Sequence, residues 1–325
     1  MDGNFVRGRI LEPAVLREMM QRSDKRGAIQ AASHFGAIAV SGTLLWTTWG
    51  TLLTIPLFLI QGILINFLYA GQHELSHGTP FKTKWLNEWI GRLIGFLVLY
   101  PRDFDLIQHT AHHKWTQDWE RDGELVREPY TLRSYLMWFF GPSYWWSRVT
   151  RLARLSSGRV VEPYIRPDQH ARVIREARIS VALYACIAVI SLAAQSWAVV
   201  ALWLGPMLVT KMFHQLQNTI EHLGLSHEDN ILENTRSTRT NAVMRWLCWN
   251  MQYHTAHHAF PSVPFHRLRE LNREMTEGVG TPPHSMGYFE FQMEVIRKLS
   301  GGKSEADYPY DEVWITSAGE RILLD

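Results

Sequence analysis

Two stretches of this 325-residue chain contain no Asp, Glu, Lys or Arg. One runs 47 residues from Gly27 to His73, the other 32 residues from Ile179 to Thr210. A helix that crosses a bilayer needs about 20 mostly apolar residues. The first stretch therefore predicts two spans, about 31–50 and 53–73, with Gly50 and Thr51 at the turn between them. The second predicts two more, about 174–193 and 197–218, each continuing into polar sequence. A buried helical hairpin in a soluble protein is the alternative, but soluble helices carry a charged face. Two further apolar pieces, Trp89–Tyr100 and Tyr135–Trp146, are too short to span. The second holds Trp138, Phe139, Phe140, Tyr144, Trp145 and Trp146, a density suited to the lipid headgroup level. Both read as interfacial or re-entrant helices within a 74–173 segment. Residues 12–30, with Pro13 at the first turn, read as a surface helix within a cytoplasmic N-terminal segment 1–30. A catalytic unit 31–265 follows, then a polar cytoplasmic cap, 266–325. The expected fold class is an all-α integral membrane protein: four transmembrane helices in two hairpins under a helical cap.

Charge adds a topology. Arg7, Arg9, Arg17, Arg22, Lys25 and Arg26 precede the first span, Lys82, Lys84 and Arg92 follow the second, and Arg172, Arg175 and Arg178 precede the third. The turns near Thr47–Thr51 and Ala193–Ser196 carry no charge. Both termini and segment 74–173 are thus expected on the cytoplasmic side. No secretory signal pattern is visible. The net charge of +2, from 33 Lys+Arg against 31 Asp+Glu, argues against a nucleic-acid partner. Hydrophobic content of 46% argues against disorder. The two cysteines, Cys186 and Cys248, form no CxxC, which excludes a disulfide framework, an iron–sulfur centre and a thiolate zinc site. The 26 arginines against 7 lysines suggest a GC-rich bacterial genome and hence a bacterial cytoplasmic membrane.

Histidine changes the picture most. There are fifteen, and they cluster. His73 and His77 close the second span, and His109, His112 and His113 form an HxxHH group in the next segment. Asn218 and His222 end the fourth span, and His254, His257 and His258 form a second HxxHH. On a helix, positions i, i+3 and i+4 share a face. All four groups fall on the predicted cytoplasmic side. Nine imidazoles exceed the needs of one ion and suit two first-row ions with four or five nitrogens each. Imidazole does not choose among iron, copper, nickel and zinc. His73-Glu74-Leu75-Ser76-His77 is also HExxH, the signature of zinc proteases, but that reading leaves both HxxHH groups idle. A metal carrier would show ionisable residues deep in its spans, where this chain offers mainly Gln61 and Asn66. A bis-histidine haem protein is the other non-catalytic possibility.

The sequences HELSHGT at 73–79, HTAHH at 109–113 and HTAHHAFPSVP at 254–264 resemble the three histidine boxes of the membrane fatty-acid desaturase and hydroxylase superfamily. NTIEHLG at 218–224 resembles that family's additional NxxxH feature and a motif of its alkane monooxygenase branch. The resemblance covers about residues 30–270. It implies a mushroom-shaped four-helix membrane bundle with a cytoplasmic cap that houses two irons. It further implies that His73, His77, His109, His112, His113, His222, His254, His257 and His258 are metal ligands. Asn218 would act through water or as a weak ligand, with His214 a possible extra. His34, His170, His227, His266 and His284 match no box. The implied chemistry is O2-dependent attack on an unactivated C–H bond, desaturation of a fatty acyl chain ahead of hydroxylation of an apolar or small substrate. Carboxylates near the boxes, Glu74, Asp105, Asp118, Asp122, Glu221 and Glu228, are candidates to orient the imidazoles. The chain has no CxxC, no dinucleotide fingerprint and no HPGG-like haem segment, so electrons must come from a separate ferredoxin, rubredoxin or cytochrome with its reductase. Arg102, Lys114, Arg236, Arg239 and Arg245 are candidate docking charges for such a carrier, or for lipid headgroups.

Overall fold

In a computed structural model, which describes residues 11–125, 127–279 and 284–316, the chain is largely helical. Arg7, Arg9 and parts of the expected cap lie outside the described residues. A short helix α1, Pro13–Met19, precedes α2, Asp24–Thr47, and α3, Thr54–Ser76. The single surface helix expected over 12–30 is two pieces. Ser23 interrupts it, its hydroxyl accepting from Arg26 N as the cap of α2. The first long helix thus begins seven residues before the expected span. Next come α4, Lys84–Leu97, α5, Arg102–Lys114, α6, Leu132–Phe139, α7, Pro142–Ser156, and α8, Pro167–Ala193.

Helices α2, α3 and α8 are long and apolar enough to cross a membrane. At 1.5 Å per residue they measure about 36, 34 and 40 Å against a hydrocarbon core of about 30 Å. Their outward faces carry exposed Val40, Leu44, Ile55, Val189, Ile190 and Leu192, a surface made for lipid rather than water. Trp46 and Trp49 near the first hairpin tip meet Trp197 near the second, ring centroids 5.1 and 4.4 Å apart.

The fourth apolar segment is not the continuous helix expected over 197–218. A π-helical turn, Val200–Leu204, leads into α9, Gly205–Val209, and after a break at Thr210 into α10, Lys211–Ile220. Pro206 is the cause. It has no N–H to give the carbonyl four residues back, that of Leu202. Gln61 Nε2 of α3 donates to that carbonyl at 2.9 Å. Asn66 Nδ2 donates to Met207 O at 2.8 Å and to Thr210 Oγ1 at 3.0 Å. The two polar residues inside α3 thus satisfy backbone that the break exposes. Gly62 lets the segments meet, since a Cβ there would collide with Pro206 carbonyl and Thr210 Oγ1.

The rest of the chain covers the charged ends of these helices. It comprises α11, Ile231–Asn234, strand β1, Arg236–Arg239, α12, Ala242–Leu247, α13, His254–Ala259, α14, Leu268–Val279, strand β2, His284–Gly287, and α15, Tyr288–Leu299. β1 and β2 pair in parallel with Arg236 opposite His284, so the fold is not purely α. Strands of four residues without apolar alternation leave no local signature. Leu268, Leu271 and Met275 of α14 pack on Ala256 and Ala259 of α13, and Phe291, Val295 and Leu299 of α15 pack on Ile220 and Tyr135. The third histidine cluster is therefore fixed from behind by an apolar core.

Candidate metal centre

The end of α3 presents His73 and His77, α5 presents His109, His112 and His113, the turn after α10 presents His222, and α13 presents His254, His257 and His258. These nine converge as two adjacent groups: His73, His77, His109, His113 and His257, and then His112, His222, His254 and His258. Within each group the ligating atoms lie within 4.8 Å of one another. The two HxxHH clusters are split in opposite senses. The first lends its i, i+4 pair, His109 and His113, to the group of five and His112 to the group of four. The second lends His254 and His258 to the four and His257 to the five. The groups touch where the His113 and His258 rings stack, centroids 4.1 Å apart.

Nitrogen faces nitrogen throughout. Nε2 of His77 lies 2.7 Å from Nε2 of His109, Nε2 of His254 lies 2.7 Å from Nε2 of His222, and Nε2 of His73 lies 2.9 Å from Nε2 of His257. Nε2 of His258 is buried without a hydrogen-bond partner. Burial holds His77, His222 and His257 down to about 3. It holds His109, His113, His254 and His258 well below their ordinary range. These imidazoles are neutral and offer lone pairs. Converging lone pairs without protons between them fit cations, and the number of nitrogens fits two.

Outward nitrogens of His109, His112 and His222 are hydrogen-bonded by the chain. His112 Nδ1 donates to both oxygens of Asp122 at 2.9 Å, and Asp122 is itself fixed by the backbone N–H groups of Gln117 and Glu124, each at 2.8 Å. His109 Nδ1 donates to Glu124 at 3.1 Å and His222 Nδ1 to the Asn234 carbonyl at 2.9 Å. Glu74 Oε1 lies 3.2 Å from His257 Nδ1 and Glu221 Oε1 3.4 Å from His254 Nδ1, at ion-pair distance but not aligned as hydrogen bonds. Such partners set the tautomer that turns Nε2 to a metal. Burial lowers His112, but Asp122 and Glu124 outweigh it and raise it to about 9. Burial pushes Glu221 up to about 8.

Of the carboxylates singled out in the sequence, Glu74, Asp122 and Glu221 thus lie against histidines. Asp105 accepts instead from Tyr69 Oη and Ser76 Oγ, both at 3.2 Å, and Asp118 pairs with Arg121. Glu74 Oε2 accepts from Phe265 N at 3.0 Å in a fully buried position, so it is a fixed support and is not free to activate water as HExxH chemistry needs. Sequence reasoning missed Glu124, the Asn234 carbonyl, and Thr116, whose Oγ1 lies 3.3 Å from His258 Nδ1. Glu124 had a signal, two residues after Asp122; a backbone carbonyl has none.

His214 and Asn218 stand outside both groups. Lys211 Nζ donates to His214 Nδ1 at 3.1 Å, and the ring packs between Phe67 and Tyr69. Both residues line a cavity of about 600 Å³ that also reaches His73, His112, His222 and His254. Helices α6 and α7 roof this cavity with Trp138 and Tyr144 while Phe140 and Trp146 stay exposed. Gly141 joins them at φ +103°, where a side chain would be strained and would press on Lys211 and Trp145. Among the unmatched histidines, His34 is structural, donating to Leu64 O at 2.9 Å and accepting from Trp249 Nε1 at 3.2 Å.

A family model described as fatty acid desaturase matches residues 17–292. The chain belongs to the fatty acid desaturase family. This desaturase-family chain is 23% identical over 250 residues to an sn-1 oleoyl-lipid 12-desaturase of Arthrospira platensis, covering 70% of this chain and 66% of that protein. It is 26% identical over 249 residues to an sn-1 acyl-lipid omega-3 desaturase (ferredoxin) of a Synechocystis strain, covering 69% of this chain and 68% of that one. It is also 23% identical over 262 residues to a fatty acid desaturase of Bacillus subtilis, covering 71% and 70%. The family is one of membrane oxidoreductases, in keeping with the apolar helices.

Two of the docking charges expected for an electron carrier are corrected. Arg236 is fully buried and donates to the carbonyls of Ile220, Leu223 and Ile315, capping the end of α10. Arg102 is buried beneath Gly91, 3.8 Å from Asp103. Arg239 pairs with Glu290, whereas Lys114 is exposed.

Proposed function

We propose that this chain is an O2-dependent di-iron desaturase that removes two hydrogens from a fatty acyl chain. The observation that carries the reading is the pair of adjacent imidazole groups opening on one cavity. His73, His77, His109, His113 and His257 would hold one iron, and His112, His222, His254 and His258 the other. Asn218 lines the cavity one turn before His222, a place suited to a water-mediated contact. When bound, the irons with O2 supply an oxidant strong enough for an unactivated C–H bond. The chain's own part is positioning. Asp122, Glu124, Glu74 and Glu221 orient imidazoles, α14 buttresses α13, and Tyr69, Trp138 and Tyr144 wall the substrate channel and exclude water.

The electrons come from a separate carrier, a reading supported by the ferredoxin in the name of one relative. Topologically, we read the broken Val200–Ile220 segment as a fourth span. Both termini, segment 74–173 and the cap 266–325 then lie on the cytoplasmic side of a bacterial cytoplasmic membrane, around a catalytic unit of 31–265. Hydroxylation is the second reading, favoured by the Asn218–His222 element. Mass spectrometry of products from the purified, iron-loaded protein with ferredoxin, reductase and O2 separates them. A loss of two hydrogens is expected; a gain of one oxygen establishes the hydroxylase; one zinc per chain with peptide cleavage would overturn both.

A further inference from the structure

Three arginines among the described residues are at least nine-tenths buried. Arg236 gives its donors to three backbone carbonyls, and Arg102 lies 3.8 Å from Asp103. Arg148 differs. It lines the cavity from α7 at 9% exposure, and its surroundings are aromatic faces. Its guanidinium carbon sits 3.2 Å from the Tyr100 ring centroid and 4.5 Å from that of Tyr144. Its Nε, like those of Arg102 and Arg236, is buried without a hydrogen-bond partner, but only for Arg148 does no described carboxylate lie within ion-pair distance and no backbone carbonyl take a terminal N–H. The acids around it are engaged elsewhere, Glu162 by Arg151 and Arg154, and Asp105 by the hydroxyls of Tyr69 and Ser76. Buried Lys211 also places Nζ 3.8 Å from the Tyr144 ring centroid; it donates to His214 Nδ1 and has no described acid within ion-pair distance.

Two buried cations around one tyrosine carry a desolvation cost that aromatic faces offset only in part. The missing partner is an anion, and the cavity is where Arg148 can meet it. We propose that this end of the cavity is an anion subsite, and that the acyl substrate arrives with an ionised end, a carboxylate before a phosphate monoester, held by Arg148 with Lys211 close by at Tyr144. This rests on the acyl-oxidase reading of the histidine site and sharpens its substrate class, an acid in place of a neutral acyl lipid. A cavity of about 600 Å³ suits a single-chain ligand better than a two-chain lipid.

The test is isothermal titration of the purified, metal-loaded full-length protein in neutral detergent at pH 8. Decanoate, decyl phosphate and methyl decanoate present one chain with three ends. At that pH the carboxylate is ionised. An anion is expected to bind at least ~10-fold tighter than the ester, in line with charge-assisted hydrogen bonding. Arg148→Gln should abolish the preference and Arg148→Lys keep part of it. Whichever anion binds tighter identifies its source. Equal affinity for the ester, or a preference that survives Arg148→Gln, overturns the subsite. So does near-ultraviolet tyrosinate absorbance in the ligand-free protein that Tyr144→Phe removes, because the chain would then supply its own anion. If Arg148→Gln does not fold, the three ligands on the unaltered protein still decide. No readout needs turnover, so decanoate that binds but is not oxidised would count against the metal-site reading and leave the subsite standing.

Discussion

His112 is where the chain's electrostatics and its proposed metal site compete most directly. Its Nε2 faces Nε2 of His222 at 3.2 Å while Asp122 grips Nδ1. Without a metal, Asp122 and Glu124 stabilise the doubly protonated ring; a cation at Nε2 replaces that second proton and keeps the Asp122 bond. Asp122→Asn removes the charge that makes His112 a strong donor of electrons. The expected outcome is a ~10–100-fold weaker metal affinity at unchanged secondary structure, read by competition with a chelator. His170→Ala, whose ring bonds only the Ile165 carbonyl among the contacts described, should leave affinity unchanged. The unequal groups give a second check. His222→Ala leaves three histidines where four stood, whereas His257→Ala leaves four of five. Elemental analysis should find about one metal equivalent lost from the first and less than that from the second; equal losses would contradict the five-and-four division. At this scale the convergence of the nine histidines was legible because repeated HxxHH spacing is rare by chance. The supports were half legible: Asp122 neighbours the box it serves and Glu74 lies within one, but Thr116 serves His258, 142 positions away, and the Asn234 carbonyl is brought in by tertiary folding. The arginines misled because burial is not written in residue type; Arg236 looks like a surface charge until β1 turns it under α10.

Among the elements, the fourth apolar segment shows how a membrane helix is broken without exposing backbone to lipid. Gln61 and Asn66 sit at buried positions of α3, and each donates to a carbonyl of the facing broken segment. Asn66→Leu should destabilise the fold by about 1–2 kcal/mol, the scale of polar contacts between membrane helices. Gly62→Val should cost about 1–3 kcal/mol, because the added methyls meet backbone rather than a movable side chain. Both should lower the thermal midpoint in detergent. A Gly62→Val protein as stable as the parent would mean that α3 and α9 do not approach so closely. Charge-free runs made the three long helices legible in place but not in length, since α2 and α8 each begin seven residues before the expected spans. The break was not, although Pro206 stood in the sequence, because a proline in an apolar run ends, kinks or merely bends a helix according to what accepts and donates around it. Gln61 and Asn66 were noticed as polar residues within the spans, and their partners lie 141 positions away.

Across the whole molecule, charge, aromatic residues and histidines divide between two ends. Arg22, Lys25, Arg26, Lys82, Lys84, Arg172, Arg175 and Arg178 flank one end of the long helices, where all nine histidines also lie. The other end consists of two short turns without charge, bordered by the clustered Trp46, Trp49 and Trp197. Lys and Arg flanks favour the cytoplasmic side, and tryptophans favour the headgroup boundary. The site should therefore face the compartment that supplies reduced carriers, with only the turns outside. Cysteine mapping tests this in a Cys186→Ser background, since Cys186 is exposed and Cys248 buried. A cysteine in place of Gly50 or Ser196 should react with a membrane-impermeant maleimide in intact cells. One in place of Gly301, in the turn after α15, should react only after permeabilisation. Labelling of the Gly301 position in intact cells would invert the molecule. It would place the histidines where neither ferredoxin nor its reductase can reach them, and the di-iron reading would lose its source of electrons.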